Sequence, residues 1–342
     1  RGSGIDRGSQ AKPPVRSPAG PSEISRGRVR DCLHSAQLNM PSLNIETVVA
    51  PEPIKQRLRE LSKTIALERQ SHKGASGWLF FGRHQIRDQR VAVKFYDWGG
   101  DAAFHAEPRA LASVNSDNVI PVFDAAFVDA NFAYFVTPYF ARGDLDAELC
   151  RGVVGNVRAL TLVRDMLSGL SFLHARGLLH RDLKPENLFL SDDDRAIIGD
   201  FGSVKRLPDG QRTVPGSGHT LIYRPPESVA RGVYGVPGDI YQVGVVLYQL
   251  LGGALPYEEV QWLSPRDQRR YRGIRDSVER QLFASSVIKR RIRQGRVIAL
   301  SSLPPWVCAQ LRRTISKACS TDPAHRYQSC EEFLARLGGG LG

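Results

Sequence analysis

The stretch His180–Gly202, HRDLKPENLFLSDDDRAIIGDFG, constrains the fold of this chain more than any other. Two apolar triplets, Leu188-Phe189-Leu190 and Ala196-Ile197-Ile198, flank the polar turn Ser191–Arg195, which predicts two short buried strands. Asp182, Lys184 and Asn187 precede the first strand and Asp200 follows the second, so both strands deliver carboxylate-bearing ends to one rim. Carboxylates that close repel unless a cation sits between them. The donors on offer are oxygens, which suit a hard divalent cation such as Mg²⁺.

At 342 residues the chain exceeds what one small core organises, which predicts two lobes. The net charge of +12 is unevenly spread. Residues 1–63 carry 11 Lys/Arg against 6 Asp/Glu, and residues 258–300 carry 11 against 5. The motif-bearing body is nearly balanced, so no nucleic-acid partner is expected. The basic segment 258–300 reads first as a solvated helix face and second as a patch for an acidic partner. Five cysteines, odd in number and without a CxxC pair, predict a reduced, cytoplasmic setting. The longest apolar run, Ile240–Leu255, is interrupted by Gln242 and Gln249 and is too short to span a bilayer. No secretory signal is visible.

Taken in order, residues 1–50 read as a flexible basic tail rich in Pro, Ser, Gly and Arg. Residues 51–63 read as a helix, with Ile54, Leu58, Leu61 and Ile65 at helical spacing. Residues 64–140 are strand-like. Gly74 and Gly77 lie between two β-rich runs, where a backbone can lie close over a ligand. Lys94 ends the apolar strand Arg90–Lys94, an unusual place for a charge without an anionic partner, and Glu107 is the glutamate available to it. Val119–Phe123 and Ala133–Val136 read as further strands, followed by Thr137-Pro138-Tyr139-Phe140 and a hinge at Ala141–Leu145. Residues 141–337 are mainly helical: Leu160–Arg176, a polar loop over 203–227, an apolar helix Ile240–Leu251 opened by Asp239, and a helical basic segment around Arg266–Arg293.

HRDLKPEN at 180–187, DFG at 200–202 and VAVK at 91–94, in this order, resemble the Hanks-type serine/threonine protein kinase family over roughly residues 65–337. The resemblance implies an α+β, two-lobed protein kinase-like fold, with a small β-rich N-lobe over 64–140 and a larger, mainly helical C-lobe over 141–337. It implies ATP and Mg²⁺, with Mn²⁺ as a substitute, and a protein substrate. Asp182 would be the base that accepts the substrate hydroxyl proton, and Lys184 would neutralise the transferring phosphoryl group. Asn187 and Asp200 would hold the metal, and Lys94, positioned by Glu107, would contact the α/β-phosphates. Leu79 and Ala92 above and Phe189 below would sandwich adenine. Thr137 resembles the gatekeeper, Pro138, Tyr139 and Phe140 the hinge, and Asp144 a ribose partner. Glu227 would pair with Arg326, and Asp239 would anchor the catalytic loop. Lys184 two places after Asp182, and Thr220 three before Tyr223, resemble the serine/threonine rather than the tyrosine branch. Arg181 before Asp182 implies autophosphorylation at Ser217 or Thr213.

The chain departs from the family pattern in places. His72 stands where the loop's first glycine is expected, Pro108 directly follows Glu107, and His219 replaces the glycine before Thr220. The alternative function is a pseudokinase-type nucleotide-binding scaffold, which would ordinarily have lost Asp182, Asp200 or Lys94; all three are present.

Overall fold

The computed structural model describes residues 43–71, 77–98, 116–152, 154–216 and 220–338. Helix α1 (Glu52–Leu61) opens with Pro53 in its first turn, where a missing N–H costs nothing. A five-stranded antiparallel sheet follows, from β1 (Ile65–Ser71), β2 (Trp78–His84), β3 (Gln89–Asp97), β4 (Asp124–Phe127) and β5 (Phe132–Pro138), in the order β1-β2-β3-β5-β4.

Strand alternation gives this sheet two faces with different jobs. Ile65, Leu67, Phe80, Val91, Val93, Phe95, Tyr134 and Val136 form one buried face, covered by Val48, Ile54 and Leu58. Ile54 and Leu58 have no solvent exposure, and each such burial stabilises by about 1.5–3 kcal/mol. The α1 segment is thus a packing element of the sheet. Ile65, expected on its helical face, instead starts β1.

The expected strand Val119–Phe123 does not form. Pro121 lacks the N–H a ladder needs; Asn118 and Ile120 instead exchange backbone bonds with Ile198, bridging it at Val119, and Val119 and Ile120 join the helical core, so β4 starts at Asp124.

Beyond the sheet come α2 (Leu145–Arg151), α3 (Asn156–His174), β6 (Leu178–Leu179), β7 (Leu188–Leu190), β8 (Ala196–Ile198), β9 (Lys205–Arg206) and β10 (Val214–Pro215). Then follow α4 (Pro226–Arg231), β11 (Val233–Tyr234), α5 (Val236–Leu250), α6 (Pro265–Gly273), α7 (Ser277–Arg293), α8 (Ala309–Ala318) and α9 (Cys330–Gly338). Strands β6 and β9, β7 and β8, and β10 and β11 form three small antiparallel pairs. Helix α5 is buried on all sides from Gly238 to Leu250, as befits an apolar helix at the centre of a core. It begins three residues before Asp239 because Pro237 is comfortable in a first turn. The basic segment is two helices, not one: Asp276 caps α7 by accepting the Glu279 N–H at 2.8 Å.

Arg326 and Glu227 form a buried ion pair at 2.6 Å. Arg326 also donates to the carbonyls of Ser320, Thr321 and Pro237, which satisfies a guanidinium that has no access to water.

Candidate active site

The predicted hairpin forms as β7 and β8, with Leu188 opposite Ile198 and Leu190 opposite Ala196. Asp182 is buried at 5% exposure in the loop leading into it. Asn187 Nδ2 donates to the Asp182 carbonyl at 2.7 Å and to its Oδ2 at 3.2 Å, and Lys184 Nζ lies 3.3 Å from the same Oδ2. Lys184 Nζ also donates to Thr220 Oγ1 at 2.7 Å, joining the residue read as a serine/threonine marker to the charged cluster.

Two residues are strained: Arg181 in this loop holds φ 71° and Asp200 after β8 holds φ 55°, a left-handed conformation that costs non-glycine residues about 1–3 kcal/mol. Buried hydrogen bonds hold Arg181 there. Asp239 Oδ2 accepts the His180 N–H at 3.0 Å and Oδ1 the Arg181 N–H at 2.9 Å, the anchoring expected of it. His174 Nε2 meets the same carboxylate at 2.8 Å. His180 in turn bonds the Gly199 carbonyl through Nε2 at 3.0 Å, tying this loop to the DFG turn. Burial pushes the Asp239 carboxyl up, but His174, His180 and the Arg181 N–H outweigh it and hold the group below its ordinary value.

Asp200 faces the sheet. Lys94 Nζ stands 3.6 Å from Asp200 Oδ1, so this carboxylate, like Asp182, has its own lysine. Burial pushes the Asp200 carboxyl up, while Lys94, His180 and the Gly202 N–H bring it below the usual range. Phe201 turns inward without solvent exposure, against the His180 ring at 5.2 Å.

The sheet face opposite α1 forms a roof. Register places Leu79 opposite Lys94, Phe81 opposite Ala92 and Ala92 opposite Thr137, so these side chains share one face. Below it, the Phe189 ring stacks on Phe140 at 5.5 Å and 14°. Gly199 must lack a side chain here, because a Cβ would lie 2.5 Å from Phe189 Cε2. Gly77 holds φ 133°, and a Cβ there would meet the Phe95 carbonyl oxygen at 2.1 Å. Tyr139 N–H donates to the Arg90 carbonyl at 3.0 Å, and its ring meets Phe81 at 5.0 Å. Asp144 spends Oδ1 on the Ala147 N–H at 2.8 Å, capping α2.

The structure thus brings Asp182, Lys184 and Asn187 together, pairs Asp200 with Lys94, and places Leu79, Ala92 and Thr137 on one face. Gly74, Glu107, Ser217 and His219 lie outside the described residues, and Thr213 is exposed. Two anchoring residues escaped sequence reasoning. Gln242 accepts the Leu183 N–H at 2.9 Å, and Tyr234 donates to Asp239 at 2.8 Å. The available signal was the polar interruption of an apolar helix at Gln242.

Among the described residues no cluster of three His, Cys, Asp or Glu forms a self-sufficient metal centre. The donor set fits a Mg²⁺-type ion shared with phosphate: such ions take one or two carboxylates and complete their shell from phosphates and water. Asp200 would supply the carboxylate. Asn187, its Nδ2 committed to Asp182, retains an amide oxygen.

Comparison with known proteins agrees with this geometry. Residues 68–336 match the protein kinase domain family. The chain is 33% identical over 204 residues to serine/threonine-protein kinase PknL of Mycobacterium tuberculosis, covering 57% of this chain and 51% of that protein. It is 30% identical over 289 residues to serine/threonine-protein kinase Pkn1 of Myxococcus xanthus, covering 79% and 37%. It is 28% identical over 265 residues to CBL-interacting serine/threonine-protein kinase 12 of Arabidopsis thaliana, covering 74% and 48%. The chain spans about half the length of the curated relatives it matches. By this match over residues 68–336, the chain belongs to the Hanks-type serine/threonine protein kinase family.

Proposed function

We propose that this chain is an ATP-dependent protein serine/threonine kinase, transferring the γ-phosphate of ATP to Ser or Thr hydroxyls of protein substrates. The observation that carries the reading is the cluster of Lys184 and Thr220 with buried Asp182 and Asn187, beside the Lys94–Asp200 pair. Phosphoryl transfer asks a protein mainly for alignment and charge neutralisation.

Asp182 takes the substrate hydroxyl proton, held in place by Asn187 and by the anchored backbone. Lys184 neutralises the transferring group. Lys94 engages the α/β-phosphates, with Glu107 and Gly74 assigned alongside it by the family motif. Asn187 and Asp200 hold the divalent cation, Mg²⁺ ahead of Mn²⁺. When bound, that ion supplies charge neutralisation across the phosphate oxygens. Leu79 and Ala92 cover adenine, Phe189 floors it, and Pro138, Tyr139 and Phe140 present backbone groups to its edge beside Thr137. Asp144, at the N-terminus of α2, meets a ribose hydroxyl.

The test is transfer from labelled ATP to a protein substrate, with Asp182→Asn as control and the metal varied between Mg²⁺, Mn²⁺ and chelator. Equal transfer by both proteins, or transfer in chelator, sinks the reading. Mass spectrometry after ATP incubation checks Thr213 and Ser217; an active protein modified at neither removes autophosphorylation there.

We also infer a cytoplasmic setting, supported by the free thiols of Cys308, Cys319 and Cys330. No described helix is long and apolar enough to cross a membrane. An acidic protein partner for the 258–300 segment is supported by exposed Arg290 and Arg293 on α7, the helix that also exposes Val278 and Leu282. Charge reversal of Arg290, Arg291 and Arg293 should weaken such a partner at low salt, and unchanged binding removes it.

A further inference from the structure

The backbone around Asp182 is gripped from both sides, and only one grip is the expected one. On the N-terminal side Asp239 takes the His180 and Arg181 N–H groups. On the C-terminal side the grip is Gln242. Its Oε1 accepts the Leu183 N–H at 2.9 Å, and its Nε2 donates to the Arg181 carbonyl at 3.4 Å. Gln242 is 1% exposed in the centre of α5, among Ile240, Tyr241, Val243 and Val245. A primary amide in such surroundings is costly unless bonded, and the catalytic loop is what bonds it.

Tyr234, with no solvent exposure, joins the two grips: its hydroxyl lies 2.8 Å from Asp239 Oδ1 and 2.9 Å from Gln242 Oε1. The charged carboxylate takes the larger share of the single phenolic proton. The amide orientation is fixed by the loop, because exchanging oxygen and nitrogen would set Nε2 against the Leu183 N–H, donor against donor. Tyr234 also pairs with Val214 of the 203–227 loop through the β10–β11 ladder.

We propose that Gln242, with Tyr234 behind it, is a positioning residue for phosphoryl transfer, fixing the C-terminal half of the Asp182 turn as Asp239 fixes the N-terminal half. The inference rests on Asp182 being the base. Releasing the Leu183 N–H lets the Asp182 carboxylate drift from the substrate hydroxyl, and a displacement of about 1 Å costs on the order of 10²-fold in rate. Lys94, Asp200 and the hinge do not depend on Gln242, so nucleotide binding stays.

The test uses the full chain with Gln242→Met, which keeps volume and removes the amide, alongside Tyr234→Phe and Asp182→Asn. Gln242→Met lowers kcat about 10- to 100-fold while the KM for ATP stays within about twofold, in protein whose thermal melt shows it folded. Tyr234→Phe lowers kcat in the same direction and by less, and the double variant loses less than the product of the two because both loosen one clamp. Should Gln242→Met not fold, Tyr234→Phe deletes only a hydroxyl and carries the same readout. An unchanged kcat in the folded variant, with Asp182→Asn inactive, overturns this proposal alone, as does a rise in ATP KM with kcat retained. Transfer surviving in Asp182→Asn overturns the reading of Asp182 beneath it.

Discussion

Asp182 and Lys94 sit in regions held by different forces. Around Asp182 the backbone is strained, and it is fixed by directed polar bonds from buried Asp239 and Gln242. Around Lys94 the backbone is ordinary β-strand, and it is fixed by apolar packing of the sheet's far face against α1. Directed bonds set atomic positions, whereas area burial sets how firmly a layer stays down. The role of base proposed for Asp182 asks for the first, because a proton must leave along one line. The phosphate contact proposed for Lys94 asks only for a firm platform, because it acts through charge over a few ångströms.

Asp182 itself should show the steepest loss of rate. Asp182→Asn should cost about 10²- to 10⁴-fold in kcat while ATP binding, measured by calorimetry, stays within a few-fold. Lost nucleotide binding would mean that the two regions are not separable. Leu58→Ala tests the other side. It should cost about 2–5 kcal/mol of stability, read as a lower denaturation midpoint, with kcat retained where the protein stays folded. A kcat loss like that expected of Gln242→Met would show that packing, too, sets catalytic geometry.

The same division explains what could be read in advance. The hairpin was legible to the residue, since apolar triplets and a polar turn are local signals and β7 and β8 have the expected bounds. The catalytic-motif residues and the roof positions Leu79, Ala92 and Thr137 were expected from the family resemblance, which carries them as motif positions. Local signals misled where a proline or a cap decided the outcome: Pro121 moved β4 onward, and Asp276 split the basic helix. Gln242 was visible as an oddity but not as a grip, because its partner Leu183 is 59 residues away and only the tertiary fold brings the two together. The stacking of Phe140 on Phe189 is hidden for the same reason.

That aromatic floor gives a sharper test of the nucleotide side. A Cβ at Gly199 would press on Phe189 Cε2 and Cδ2 at 2.5 and 2.9 Å. Gly199→Ala should therefore displace the Phe189 ring, an overpacking cost of about 1–3 kcal/mol. The readout is a rise in ATP KM of about tenfold with a smaller change in kcat. Phe189→Leu in the same chain should return most of the loss. A double variant as impaired as Gly199→Ala would place the damage in the neighbouring DFG turn, on the polar side of the divide.

The smallest effect concerns pH and isolates one polar bond set. Asp239 titrates below its ordinary value because His174, His180 and the Arg181 N–H outweigh its burial. A depressed carboxyl binds its proton less readily in the folded state than in the unfolded one. Its contribution to stability is therefore complete above the unfolded pKa of about 4 and is lost as pH falls through the lower folded value. Melting temperatures followed from neutral pH down to about pH 3 should fall more steeply for the parent chain than for Asp239→Asn, which has no proton to gain there. Parallel slopes would mean that the carboxylate's charge adds nothing to stability, leaving the strained Arg181 backbone to be held by the remaining bonds to Gln242 and by packing alone.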